Sequence, residues 1–236
     1  MEKIKLNLQL FGGRGSSSGG GEGGGEGGPG LPKSKKGLSP ASISKEVDVW
    51  SYRHNKNNEP FVDKMNQAAR TMSDDFPGLM QDVTEVNAGT LKGAAARSVL
   101  GYYGGGRVAL NTNYTNVDKM NKTYDAAVKS GYHPSRGSKT GTEAVMYHEM
   151  GHALTDHVAK KVGAKDLDAS SQKIVDAAYK ASKGKGGTKA WAGTISGYAK
   201  ESYAECVAEA VADWYCNGKK ASKASKAIMT ELKKYK

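Results

Sequence analysis

His148-Glu149-Met150-Gly151-His152, with apolar Ala144, Val145 and Met146 just ahead of it, is the stretch on which the reading of this chain turns. Two histidines four residues apart on a helix point the same way, about one turn from each other. Their neutral imidazole nitrogens can together hold one Zn²⁺, and the glutamate between them then stands beside the metal as general base for a water. The bland alternative is an ordinary amphipathic helix whose histidines are solvated or satisfied within the core.

A hydrolytic zinc site needs a third protein ligand and leaves a fourth position for water. Downstream lies Ser196-Gly197-Tyr198-Ala199-Lys200-Glu201-Ser202-Tyr203-Ala204-Glu205-Cys206-Val207-Ala208-Glu209-Ala210-Val211. Glu205 and Glu209 are one helical turn apart on a segment whose other face carries Val207, Val211 and Trp214. Carboxylates that close to a core face need a partner, and a metal site supplies one.

Taken together, the His-Glu-x-x-His pentapeptide, a tyrosine, a glutamate seven residues after it and the following Ala-Glu-Ala resemble the catalytic domain of anthrax lethal factor. The related zincins carried by phages and toxin cassettes share the pattern. The resemblance is confined to these two blocks and covers about the last hundred residues. It implies that His148, His152 and Glu205 are the metal ligands, that Glu149 is the general base, and that Tyr198 steadies the oxyanion or leaving group. Glu209 corresponds to a carboxylate that orients a ligand histidine. A metzincin pattern fits worse, because Thr155 and Val158 stand where it has a glycine and a third histidine. His157, five residues past His152, points roughly 140° away around the helix and reads as a surface or supporting histidine.

Of the 236 residues, 37% are hydrophobic, mean hydropathy is −0.62, and no apolar run approaches a membrane-spanning length. Cys206 and Cys216 sit within one expected helix, about 15 Å apart, too far for a disulfide. Lys3 and Lys5 precede only a short, polar-interrupted apolar patch, which does not read as a secretory signal. The net charge of +11 is concentrated near the ends: Lys33, Lys35 and Lys36, then a lysine-rich stretch from Lys219 to Lys236. Lysines without interleaved arginines and aromatics favour a solvated surface over nucleic-acid binding.

Residues 1–45 read as a disordered leader rich in Gly and Ser, unable to bury enough apolar surface to offset chain entropy. Its opening, Leu6-Asn7-Leu8-Gln9-Leu10-Phe11-Gly12-Gly13-Arg14-Gly15, resembles leaders of head- and capsid-associated proteins of tailed phages of Gram-positive bacteria. That implies phage head proteins as partners and a virion or host-cytoplasm setting. Residues 46–236 read as one domain, with Val47, Val49 and Trp50 docking on it. Phe61, Val62, Met65, Ala68, Ala69, Met72 and Phe76 recur at helical spacing up to Pro77.

Val83 to Val86 reads as a strand. Ser98 to Tyr103 and Arg107 to Tyr114 read as two more around Gly104-Gly105-Gly106, with Val108, Leu110, Thr112 and Tyr114 on one face of the second. Val117, Met120, Tyr124 and Ala127 predict a helix, and Gly131 to Gly141 a loop. Thr140 with Glu143 forms a capping box that starts the metal-binding helix, which ends near Gly163. Asp168 to Ser182 reads as helix, Lys183 to Gly187 as loop, and Asn217-Gly218 ends the helix bearing Glu205.

The expected architecture is α+β: zincin-like, mostly helical, with a small twisted sheet beside the active-site helix and a lysine-rich C-terminal helix. The expected function is zinc-dependent endopeptidase, acting on a protein or peptide. Arg107, Val108 and Leu110 are expected on a sheet-edge strand along which an extended substrate adds. The alternative is a structural phage head-associated protein whose zinc only staples the fold; Glu149, which a structural site does not need, argues against it.

Overall fold

The computed structural model describes residues 59–83, 85–89 and 99–236. The leader and the docking expected of Val47, Val49 and Trp50 lie outside them. Helix α1 (Glu59–Asp75) comes first, and the apolar residues read from its periodicity all lie in the core. Three strands follow: β1 (Glu85–Gly89), β2 (Gly101–Gly104) and β3 (Arg107–Asn111). The chain continues through α2 (Val117–Lys129), α3 (Gly141–Lys161), α4 (Leu167–Ala181) and the short α5 (Gly187–Ala192). Helices α6 (Tyr203–Asn217) and α7 (Lys223–Leu232) complete it. This is a mostly helical α+β arrangement, and no described helix is long and apolar enough to cross a membrane.

Local signals explain most of these boundaries. The α3 cap is reciprocal: Thr140 Oγ1 accepts from the Glu143 amide at 3.2 Å, and Glu143 Oε2 accepts from the Thr140 amide at 2.8 Å. Such a box satisfies two backbone donors that a helix start otherwise leaves unpaired. Gly105 and Gly106 join β2 to β3 with φ of +57° and +77°, the two positive values that a tight hairpin turn matching strand twist requires. Asn116, Asp166, Ser202 and Ser222 cap α2, α4, α6 and α7 through side-chain oxygens.

The sheet departs from expectation in three ways, the first being that β1 runs Glu85–Gly89 rather than Val83 to Val86. The strand order is β1-β3-β2, with β1 parallel and β2 antiparallel to β3. Strand β3 is therefore the middle strand, not an edge. Its two flanks are hydrogen-bonded, and Val108 and Leu110 are fully buried in the core. Arg107 is exposed at the strand's start and pairs with Glu85 at 3.5 Å. Nor does the strand reach Tyr114. Asn111 turns the chain by accepting from the Asn113 amide and donating to Val99 O, and a 3₁₀ turn follows at Thr112–Tyr114. The edge nearest α3 among the described residues is β2.

Helix α3 is the centre of the molecule: α1, α2, α4, α6 and the β2–β3 hairpin all pack on it. Nearly every residue from Gly141 to Ala159 is buried, so its polar side chains point into protein rather than water. The closest approach is to α6. A methyl at Gly151 would stand 2.9 Å from the Ala208 Cα, so this crossing requires glycine on one helix and a small residue on the other. Helices α4 and α7 cover the far side of α6. Each fully buried Leu, Met or Phe side chain contributes on the order of 1.5–3 kcal/mol, so the surroundings of this crossing are rigidly packed.

Candidate metal centre

The Gly151–Ala208 contact sets the site. It draws α6 close enough that Glu205 and Glu209, one turn apart, face His148 and His152 on α3. All four side chains are buried. Glu205 Oε2 lies 3.1 Å from His148 Nε2 and 3.4 Å from His152 Nε2, and the two Nε2 atoms are 3.2 Å apart. Ligands bound at about 2.0–2.1 Å around a tetrahedral ion sit roughly 3.3 Å from one another. The three donor atoms therefore have the mutual spacing that one small cation demands.

Hydrogen bonding supports the same conclusion. His148 Nδ1 donates to Glu209 Oε1 at 2.9 Å, which leaves Nε2 as the atom facing the cluster. Glu205 Oε2 is buried and has no hydrogen-bond partner of good geometry, and neither has Glu149 Oε1. An unsatisfied buried acceptor costs about 1–3 kcal/mol, more when charged. Two such atoms lie beside imidazole nitrogens, where a cation would satisfy them. His148, His152 and Glu205 could hold a metal ion.

Charges respond accordingly. Burial alone would lower the pKa of His148, but Glu205 and Glu209 overcome it and raise it to about 10. Burial alone would raise Glu205, yet the facing His152 and His148 hold it well below the usual carboxylate range. Glu209 is likewise brought down to about 2, against burial, by His133 and His148. Glu149 goes the other way: burial, with Glu205 and Glu209 nearby, pushes it up to about 8 despite the neighbouring His148. It is the one carboxylate of the three that favours holding a proton near neutrality.

Tyr198 stands on a 3₁₀ turn (Tyr198–Lys200), its ring 5.9 Å from that of His148. Burial and the negative field of Glu205 raise its hydroxyl pKa far above 10, so it remains a proton donor. Gly101 on β2 lies directly over Glu149: a methyl there would fall 2.6 Å from Glu149 Oε1. Tyr103 on the same strand stacks on His152 at 6.4 Å.

The structure thus gathers His148, Glu149, His152, Tyr198, Glu205 and Glu209 in one place. Arg107, Val108 and Leu110 are not part of it, being one strand removed. His157 is neither ligand nor surface residue; it is buried, with Nδ1 2.5 Å from Asp82 Oδ2. Sequence reasoning missed His133, Ser196 and Gly101. Tyr132-His133-Pro134, an aromatic pair inside an otherwise polar loop, was the signal available for the first. Compared with known proteins, the chain matches no family model, no curated sequence and no solved structure.

Proposed function

We propose that this chain is a zinc-dependent peptidase of the zincin type. The observation that carries the proposal is the set of three mutually spaced donors, two imidazoles and a carboxylate, beside a buried glutamate with an unpaired oxygen. Imidazole ligands favour zinc over calcium or magnesium, which prefer all-oxygen sites. Zinc held by His148, His152 and Glu205 would polarise a scissile carbonyl and lower the pKa of a water toward neutrality.

The chain's own residues do the rest. Glu149 takes the proton of the attacking water and hands it to the leaving amine, a role that suits a carboxylate whose affinity for protons is raised. Tyr198, kept protonated, donates a hydrogen bond where negative charge develops. Glu209 holds the His148 ring in the tautomer that presents Nε2. An extended protein or peptide segment would add along the edge of β2, which runs past Glu149, rather than along β3.

A zinc site that only staples the fold accounts for the three donors but not for Glu149. A structural site is closed by protein ligands and gains nothing from a buried carboxylate with an unpaired oxygen. The test is cleavage of a fluorescently labelled unfolded protein such as casein by the zinc-loaded chain. Glu149→Gln should keep its metal and lose on the order of a thousandfold in turnover. Tyr198→Phe should keep its metal and lose about a hundredfold. No cleavage by the wild-type chain, or full activity in Glu149→Gln, would sink the proposal.

A further inference from the structure

Glu209 is held by more than the histidine it orients. Its Oε1 accepts from His148 Nδ1 at 2.9 Å and from His133 Nδ1 at 3.0 Å, and its Oε2 accepts from His133 Nδ1 at 3.1 Å and from Ser196 Oγ at 2.6 Å. These donors come from three separate segments: α3, the loop before it, and the loop before α6. The His133 side chain has no exposed surface. It lies flat on Tyr124 of α2 (ring centroids 5.3 Å apart, planes 8° apart) and meets the Tyr198 ring edge-on at 5.6 Å.

The two loops are also joined through the backbone. The Gly197 amide donates to Gly131 O at 2.7 Å, and the Tyr198 amide donates to Tyr132 O at 3.0 Å. Gly197 allows this approach, since a methyl there would stand 3.0 Å from Gly131 O. Ser196 Oγ, besides donating to Glu209, accepts from the Ala199 amide at 3.0 Å and so pins the turn that carries Tyr198.

We propose that His133 and Ser196 are positioning residues for the metal centre, holding the Glu209 carboxylate so that it fixes both the His148 ring and the Tyr198 turn. A carboxylate bonded only to His148 could swing about its side-chain torsions and let the imidazole turn with it. Bonded from two further directions, it has one orientation. His133 and Ser196 are not among the three candidate donors and act through Glu209. The inference rests on the metal-site reading above, but not on hydrolysis.

The experiment measures zinc affinity by competition with a chromogenic chelator, and the visible absorption of the cobalt-substituted chain, in a pair of variants. His133→Leu removes the donor at similar volume, and His133→Asn keeps an N–H near the Nδ1 position in a smaller side chain. His133→Leu should bind zinc ten- to a hundredfold more weakly and shift the cobalt bands, as loss of a support behind a ligand histidine does. His133→Asn should recover most of that loss. Equal losses in the two variants, or wild-type affinity and spectrum in His133→Leu, would overturn the proposal. If His133→Leu fails to fold by circular dichroism, Ser196→Ala decides. It should shift the cobalt bands and weaken zinc binding several-fold, and a wild-type result there overturns the proposal. A wild-type chain that binds zinc but cleaves nothing would remove the peptidase reading and leave this inference standing, whereas one that takes up no zinc would overturn both.

Discussion

Helix α3 carries two polar clusters built from the same kinds of side chain, and they behave differently. At its middle, His148 and His152 face Glu205 and Glu209. Near its end, His157, Asp156 and Lys160 meet Asp82 from the loop after α1. In the second cluster the groups are matched: His157 and Lys160 both bond Asp82, at 2.5 and 2.9 Å. Lys160 also reaches Asp156 at 3.2 Å, and Tyr103 donates to Asp156 at 2.8 Å. In the first cluster Glu205 Oε2 and the two imidazole Nε2 atoms crowd within 3.1–3.4 Å of one another, and Glu205 Oε2 and Glu149 Oε1 are buried without a hydrogen bond of good geometry. A histidine beside a carboxylate is therefore not by itself a metal site. What separates the two clusters is whether the protein completes its own hydrogen bonds, and a buried acceptor left without one is a place where an ion or a water can bind. Tyr103 touches both, stacked on His152 and bonded to Asp156.

The contrast sharpens first with pH. His148 keeps a proton up to about pH 10 in the metal-free chain, and zinc must displace that proton. Zinc affinity should then rise about tenfold per pH unit between pH 6 and 8, read by the same chelator competition. Stability of the metal-free chain should run the opposite way. The protonated His148 pairing contributes fully below the unfolded value near 6.5 and fades as pH climbs toward 10, measurable by urea unfolding. A flat affinity profile would mean that no proton leaves when metal binds.

A smaller effect is expected at Gly101. An added methyl would press on Glu149 Oε1 and Cγ and on Val145 Cγ1, all within 2.8 Å. If Glu149 is the base as proposed, Gly101→Ala should displace it and lower casein turnover about tenfold, the size of a modest misplacement, while zinc content stays at the wild-type level. Loss of zinc in this variant would show that the strand supports the ligands rather than the base.

The smallest functional effect belongs to the completed cluster. Asp82→Asn breaks charged contacts to His157 and Lys160 and should cost about 1–2 kcal/mol of stability by urea unfolding. It should leave zinc affinity within about twofold, the scatter of independent sites. A large loss of zinc would join the two clusters into one unit and end the comparison.

Much of this was legible in the sequence because it is local. The Thr140–Glu143 cap, the four-residue histidine spacing and the Val117, Met120, Tyr124, Ala127 stripe each lie within a few turns of one helix. Glu205 required the match between two distant blocks, and the structure supplies its physical cause in the Gly151–Ala208 crossing. The rest depended on partners far away in the chain. Nothing within Arg107-Val108-Ala109-Leu110-Asn111 says that β1 will pair along its second flank, so an interior strand read as an edge. Alternation pointed to Thr112 and Tyr114 continuing the strand, but the Asn111 side chain competes for the backbone and ends it. The first strand runs Glu85–Gly89 rather than Val83–Val86. His133 lies in a segment without periodicity, and its role exists only once Glu209 and Ser196 are brought to it.

The central claim is that an α3–α6 crossing presents three donors to one ion, and the most direct measurement is metal content by elemental analysis. Chains purified without chelators and equilibrated with zinc, then desalted, should hold one zinc per wild-type chain. Glu205→Ala, circular dichroism confirming its fold, should hold almost none. A Glu205→Ala chain that keeps a full zinc equivalent, or a wild-type chain that keeps none, would contradict the account.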